Sequence, residues 1–161
     1  MDYIWTPWRY QYITSAISGE KPECIFCDAA KRTDDATTLV VYRGVSSFAI
    51  LNRFPYTSGH LMIVPYQHTA EISGVDAATL TEMMHLAQRT ESAFKSLYKP
   101  DGMNFGMNLG RAAGAGIAGH LHLHALPRWV GDASFMSVTG ETRVLPEDLA
   151  TTFERVRAAL A

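Results

Sequence analysis

The stretch His120-Leu121-His122-Leu123-His124-Ala125-Leu126 contains three of the six histidines of the chain, alternating with aliphatic residues. Successive side chains of a β-strand point to opposite sides of a sheet, so this alternation predicts a strand over His120–Leu126. Its histidines share one face, and the aliphatic residues between them enter the core. One histidine in such a strand is usually a half-exposed surface residue, whereas three in register indicate a functional face. A metal site remains open, because His-x-His on a strand also suits zinc or copper.

The composition is that of an ordinary globular protein, with 161 residues, 47% hydrophobic and 19% charged residues, and a formal net charge of −2. This length buries a substantial core without disulfide bonds, so we predict one domain over residues 1–161. The charge favours neither a nucleic acid nor a membrane surface as partner. The N-terminus lacks the features of a signal peptide, and no apolar run approaches the ~20 residues that span a bilayer. We therefore expect a cytoplasmic protein.

The remaining strands are predicted from short apolar or β-branched runs bounded by turn residues. Short connections between the first three runs favour an antiparallel meander. With the histidine strand, they give an antiparallel sheet of about five strands in an α+β domain. The four further strands are predicted at Thr38–Tyr42, Ser46–Leu51, His60–Pro65 and Met103–Asn108.

Helical periodicity predicts one long helix and one C-terminal helix. Between Asp76 and Tyr98, apolar residues recur at three- and four-residue intervals, with Asp76 as N-cap. The pair Met83-Met84 is expected to fill the core, while His85 lies off the apolar stripe and is expected on the surface. The second helix follows Pro146. Residues 1–23 are rich in aromatic side chains, which we expect to pack on the core or on a dimer partner.

Both cysteines of the chain lie in the motif Cys24-Ile-Phe-Cys27. Two cysteines at this spacing are too few for a disulfide framework, so they form a metal pair or a redox pair. A redox motif is expected between a strand and a helix, whereas residues 18–22 have the composition of a loop. The motif therefore favours a metal pair.

A loop with four glycines, residues 108–119, precedes the histidines. Small residues allow backbone N–H groups to approach and surround an anion, so a phosphate-sized ligand is expected, although glycine-rich hairpins are common. An imidazole that faces such a phosphate can attack phosphorus directly. The central His122 suits that role, because loop N–H groups and neighbouring imidazoles can stabilise the phosphoryl charge.

The histidine stretch has the pattern His-φ-His-φ-His-φ-φ, where φ is apolar, and resembles the signature of the histidine triad (HIT) family. The likeness extends over roughly Trp5 to Phe135. Asn52 through Pro65 resembles a second block of the family, and Asn108 through Gly114 resembles its phosphate loop. The resemblance implies a HIT-like fold, usually a homodimer with a continuous sheet. It also implies a nucleotide substrate, cleaved at an α-phosphate through a nucleotidyl-histidine intermediate by a transferase or hydrolase.

The resemblance assigns roles to individual residues. It makes His122 the nucleophile, places His124 at the phosphate or leaving group, and lets Asn108 reach the phosphates. Asn52 matches the position that hydrogen-bonds the ribose hydroxyls, where an amide can both donate and accept. Without the resemblance, Asn52 is better interpreted as a turn residue at a strand end. The family often has a histidine like His60 near the site, but a histidine after glycine at a strand start also has a purely structural interpretation.

Some family members hold a structural zinc with a Cys-x-x-Cys pair, the histidine of a Pro-x-x-His segment and the first triad histidine. The four positions are filled here by Cys24, Cys27, His68 and His120. Two thiolates and two imidazoles form a closed tetrahedral site without an open position for catalysis. The resemblance therefore implies one structural zinc and no organic cofactor, which leaves the other two triad histidines for phosphate.

The chain departs from many hydrolase-type members at Ala115, where those proteins carry a glutamine that touches the phosphates. Together with Trp5-x-Pro7-Trp8-Arg9 and residues 129–135, this departure is closer to a bacterial branch that resembles diadenosine tetraphosphate phosphorylases. Gly114, Ala115 and Gly116 are then expected to line the phosphates. The favoured function is cleavage of dinucleoside polyphosphates by phosphorolysis or hydrolysis. The alternatives are hydrolysis of nucleoside phosphoramidates such as an adenylyl-amine, and a non-catalytic nucleotide- or zinc-binding module.

Overall fold

The computed structural model describes residues 24–133 and 146–161, so the predicted packing of residues 1–23 lies outside the described residues. Five strands form one sheet in the order β1-β2-β3-β5-β4, and every neighbouring pair is antiparallel. This sheet confirms the predicted α+β class. The strands are β1 Val40–Arg43, β2 Ser47–Leu51, β3 Leu61–Pro65, β4 Gly102–Met107 and β5 Leu123–Arg128.

The described part of the chain contains two short and two longer α-helices, α1 Ile25–Lys31, α2 Asp35–Thr38, α3 Ala77–Tyr98 and α4 Leu149–Leu160. The side chain of Asp76 accepts a hydrogen bond from the Thr79 N–H, which confirms the predicted N-cap of α3. The apolar stripe of α3 buries Met83, but Met84 is 56% exposed, so the expectation for the second methionine is wrong. His85 is exposed, as predicted. Among the described residues, no helix has the length and apolarity needed to cross a membrane.

The histidine strand begins later than its alternating pattern predicts. Pairing with β3 starts at Leu123, opposite Ile63. Before that point the backbone bonds elsewhere, because the Leu121 N–H donates to the Thr69 carbonyl at 2.6 Å. His120 and His122 therefore lie on the approach to β5, and only His124 lies within the strand.

The core lies between the sheet and helices α3 and α4. Residues that alternate along β3 and β5, such as Ile63 and Ala125, are fully buried on this side, together with Phe94 of α3 and Val156 of α4. Met62 and His124 are paired across β3 and β5, one position out of phase with that buried set, and so face the other side of the sheet. Phe26 of α1 covers part of that second face, where it contacts His120 and His122.

Candidate functional site

Four metal-ligating side chains from separate segments meet at one point. Cys24 is the N-cap residue of α1 and Cys27 lies in its first turn, whereas His68 follows β3 and His120 precedes β5. One ligand atom of each lies within 4.8 Å of the others. His120 Nδ1 is 3.2 Å from both Cys24 Sγ and His68 Nδ1, and Cys27 Sγ is 3.3 Å from His68 Nδ1. The structure thus brings together the four residues of the predicted metal set.

The donor set fits a metal ion with closed tetrahedral coordination. His120 Nε2 donates to the Pro65 carbonyl oxygen at 2.9 Å, because a carbonyl can only accept, and Nδ1 therefore presents its lone pair to the cluster. Burial lowers the pKa of His120 and keeps the imidazole neutral, as ligation requires. Two sulfurs and two imidazole nitrogens are the ligands of a structural site, with no position left open for catalysis.

The Cys-x-x-Cys motif begins a helix, which the sequence did not predict. A position at a helix N-terminus would also suit a redox pair, so this context alone does not favour a metal. The two imidazole nitrogens beside the sulfurs do favour it, since a redox pair needs no such ligands. Neither cysteine forms a disulfide bond among the described residues.

The hydrogen bond of His122 fixes which of its ring nitrogens carries the lone pair. Its Nδ1–H donates to the carbonyl oxygen of His120 at 2.8 Å, which leaves the lone pair on Nε2. The side chain is buried, with 4% of the residue exposed, and this burial lowers the pKa of the imidazole. His122 is therefore neutral near pH 7 and in the tautomer that an attack on phosphorus requires.

His124 is held in the opposite tautomer by His60. The backbone N–H of Tyr56 donates to His60 Nδ1 at 3.2 Å, so the proton of His60 is on Nε2. That Nε2–H donates to His124 Nδ1 at 2.8 Å, which leaves His124 with an Nε2–H. Burial, with a smaller contribution from His122, lowers the pKa of His124 to about 4. His124 is thus a neutral hydrogen-bond donor beside His122.

His60 and Phe26 belong to this site although neither was among the predicted site residues. His60 is 1% exposed and contacts His124, so the interpretation that places it near the site holds. Phe26 is 1% exposed and packs on both His120 and His122. Its only sequence signal was an apolar residue between the two cysteines.

Asn52 contacts His60, which in turn contacts His124. Its Oδ1 accepts from the Phe54 N–H at 2.9 Å, and its Nδ2 is 3.2 Å from His60 Nδ1. The single in-plane lone pair of that nitrogen is shared with the Tyr56 N–H. Asn52 therefore forms a turn at the end of β2 and also supports the His60 ring.

The glycine-rich loop begins beside His122. Met107 pairs with Leu123, so the next residue, Asn108, continues alongside His122. Gly114 has a φ of 88°, in the left-handed region that favours glycine, and the Ala115 N–H closes the turn on the Gly110 carbonyl at 3.3 Å. A Cβ atom at Gly114 or Gly116 would meet open space, so packing does not require glycine at either position, whereas the positive φ of Gly114 favours it.

Comparisons with known proteins agree with this arrangement. AP-4-A phosphorylase from Mycobacterium tuberculosis (strain ATCC 25618 / H37Rv) is 38% identical over 154 residues, which are 92% of this chain and 79% of that protein. A Zn-bound histidine triad family protein from Mycobacterium smegmatis has a TM-score of 0.68 and 30% identity, over 86% of this chain and 93% of that one. A hypothetical histidine triad nucleotide-binding protein from Sulfolobus tokodaii also has a TM-score of 0.68, with 28% identity over 85% and 91%.

The family model described as the HIT domain matches residues 33–130. This range contains His60, His68 and the three triad histidines, but neither cysteine of the metal cluster. The chain belongs to the HIT domain family.

Proposed function

We propose that the protein is an enzyme that cleaves dinucleoside polyphosphates of the diadenosine tetraphosphate type at an α-phosphate. The observation that carries the proposal is the pairing of His122, with a free Nε2 lone pair, and His124, with an Nε2–H, on one side of the sheet. Displacement at phosphorus is favoured by a nucleophile next to a hydrogen-bond donor that can bind the leaving oxygen. The 38% identity to a protein named AP-4-A phosphorylase supports the substrate class.

The proposed reaction has two displacements. His122 Nε2 attacks the α-phosphorus, the bond from phosphorus to the bridging oxygen breaks, and the Nε2–H of His124 donates a hydrogen bond to the departing oxygen, which leaves as the anion of the nucleotide. Inorganic phosphate then attacks the nucleotidyl-histidine, the P–N bond breaks and frees neutral His122, and the proton of the phosphate passes to solvent. Diadenosine tetraphosphate and phosphate thus become ATP and ADP, whereas water as acceptor gives ATP and AMP.

The glycine-rich loop supports the charge that builds on the phosphoryl oxygens. We infer that Asn108 and the backbone N–H group at Gly116 bind these oxygens, because preorganised donors stabilise a developing anion. Gly114 and Ala115, whose N–H groups donate within the loop, would line the phosphates. The small side chain of Ala115 leaves space for a further phosphate group. That space, with the name of the mycobacterial relative, favours phosphorolysis over hydrolysis.

We infer that zinc occupies the cluster of Cys24, Cys27, His68 and His120. The donor chemistry fits, and the similar structure from Mycobacterium smegmatis is described as Zn-bound. Zinc would hold the N-terminus of α1 against the segments that carry His68 and His120, and it would take no part in bond breaking.

We infer a homodimer formed through β4. This strand lies at one edge of the sheet, most of its residues are exposed, and Phe105 is 40% exposed. An exposed edge strand can pair with a second copy and continue the sheet. The net charge of −2 favours neither a nucleic acid nor a membrane surface as partner, and we infer a nucleotide substrate. We also infer a cytoplasmic protein, because a Cys-x-x-Cys pair that serves as metal ligands needs a reducing compartment.

The test is to incubate the purified protein with diadenosine tetraphosphate, with and without inorganic phosphate, and with an adenosine phosphoramidate in parallel. Phosphate-dependent release of ADP and ATP is the expected result. Release of ATP and AMP in the absence of phosphate would show that the reaction is hydrolysis and not phosphorolysis. Turnover of the phosphoramidate alone, or nucleotide binding without any turnover, would contradict the proposed function.

A further inference from the structure

We propose that Phe26 is a positioning residue that couples the metal cluster to the nucleophile His122. The inference rests on the proposed function, because it takes His122 as the nucleophile. In the sequence Cys24-Ile-Phe-Cys27, Phe26 lies between the two cysteines of the cluster.

Phe26 contacts two imidazoles with different proposed roles, His120 in the metal cluster and His122 as nucleophile. Its ring lies 5.4 Å from the His120 ring in an edge-on arrangement and 5.1 Å from the His122 ring in a tilted one, measured between centroids. Phe26 is 1% exposed, so no solvent layer separates these rings. A close-packed ring of this kind restricts how far a neighbouring ring can rotate.

The hydrogen bond of His122 does not by itself fix the orientation of its ring. The Nδ1–H bond to the His120 carbonyl, at 2.8 Å, holds one atom of the ring but permits the ring to rotate about that contact. The His124 ring lies edge-on at 4.8 Å. Phe26 supplies a further contact that restricts the direction of Nε2.

The position of Phe26 depends on both ends of α1. At the C-terminal end, the Arg43 guanidinium donates to the carbonyls of Ala29, Ala30 and Arg32 at 3.1 Å or less and pairs with Asp35 at 2.8 Å. At the N-terminal end, the two cysteines of the cluster tie the first turn to His68 and His120. Loss of the metal would therefore free the first turn, which carries Phe26, while Arg43 retains the last turn.

The experiment follows the imidazole signals of His122 by NMR in protein with ¹⁵N-labelled histidine, loaded with zinc or treated with a chelator. The variants are Phe26→Leu and, as matched control, Phe153→Leu, which alters another buried phenylalanine on the remote helix α4. In the unaltered protein and the control, zinc removal should shift or broaden the His122 signals. Zinc-loaded Phe26→Leu should already show shifted or broadened His122 signals, and the chelator should change these signals little further.

Activity gives a second readout. Phe26→Leu should lower kcat by about tenfold to a hundredfold, the effect expected of a misplaced reacting group, and leave KM within about twofold. The proposal would be overturned if Phe26→Leu had the His122 signals and kcat of the unaltered protein. It would also be overturned if chelation changed the His122 signals equally in Phe26→Leu and in the unaltered protein. If Phe26→Leu does not fold by circular dichroism, Phe26→Met is measured by the same criteria. Coupled NMR changes in a protein that turns over no nucleotide would support the positioning contact and contradict only the proposed function.

Discussion

At the scale of the residue, three imidazoles at alternate positions differ in the nitrogen that they present, because each has a different hydrogen-bond partner. A backbone carbonyl accepts from Nε2–H of His120 and leaves Nδ1 facing the cysteines and His68. Another carbonyl accepts from Nδ1–H of His122 and leaves the lone pair on Nε2, the proposed nucleophile. His60 donates to Nδ1 of His124 and leaves an Nε2–H donor. The hydrogen-bond partner of each histidine fixes its tautomer, and the tautomer decides whether the other ring nitrogen accepts or donates.

His60 should matter for kcat through His124. His60→Phe removes the Nε2–H that holds the His124 tautomer, so kcat should fall by about tenfold to a hundredfold, in the lower part of the range for acid–base groups, with little change in KM. Steady-state kinetics with diadenosine tetraphosphate measure the effect. His85→Phe, an exposed position of α3, is the control and should behave as the unaltered protein. Equal kcat values for the two variants would remove His60 from the mechanism.

The low pKa of His124 makes stability depend on pH. Its pKa is about 4 in the folded protein and near 6.5 in an unfolded chain, so between these values the unfolded state binds more protons. The free energy of unfolding should therefore decrease as pH falls from about 6.5 to about 4, and this contribution should be level above pH 7.

Urea unfolding from pH 4 to pH 8 measures that dependence. Protonation of the cluster ligands also destabilises the fold in acid, so the informative quantity is the difference between the unaltered protein and His124→Asn. The variant should lose part of the acid slope. Identical slopes would show that His124 is not buried as a neutral imidazole.

At the scale of the element, prediction succeeded where a local pattern was long enough. The 22 residues of α3 contain several turns of apolar periodicity and a side-chain N-cap, and both were predicted. Helix α1 has 7 residues and a cysteine N-cap without a side-chain hydrogen bond, so its sequence carries no helical signal. The start of β5 depends on a bond between the distant Leu121 and Thr69, which periodicity cannot express.

Arg43 should stabilise α1 from outside the helix. Arg43→Gln removes the guanidinium contacts to three terminal carbonyls, and the free energy of unfolding should decrease by about 1–3 kcal/mol, since hydrogen bonds to charged groups are worth roughly that much. Urea titration checks the value. Arg32→Gln is the control, because its exposed ion pair with Asp28 spans 3.7 Å and should contribute less than about 1 kcal/mol. If Arg43→Gln lowers the free energy of unfolding no more than Arg32→Gln does, the stabilising role of Arg43 is contradicted.

At the scale of the whole molecule, the metal cluster connects segments that are far apart in the chain. The separation between Cys24 and His120 is 96 residues, and His68 belongs to a third segment. The resemblance to the HIT family predicts these four residues as ligands, and the structure brings their ligand atoms together. The contacts of His60 with His124, 64 positions apart, and of Phe26 with His122 were not predicted, because they depend on how these segments pack.

Zinc should stabilise the whole molecule. Protein purified without added metal should contain one zinc per chain by elemental analysis, and chelation should lower the free energy of unfolding, because a metal that binds only the folded state adds its binding free energy to folding. The variant Cys24→Ser/Cys27→Ser should lack the zinc and be insensitive to the chelator. Substoichiometric metal in the unaltered protein, or stability independent of chelation, would contradict the assignment.

The nucleotidyl-histidine intermediate is the step on which the proposed chemistry depends. Protein mixed with diadenosine tetraphosphate in the absence of phosphate and quenched rapidly at alkaline pH can be analysed by intact and peptide mass spectrometry. The expected result is a mass increase of one adenylyl group, located on His122, absent from His122→Asn, and removed when phosphate is added with release of ADP. Cleavage of the dinucleotide without label on His122, or undiminished turnover by His122→Asn, would contradict the proposed mechanism.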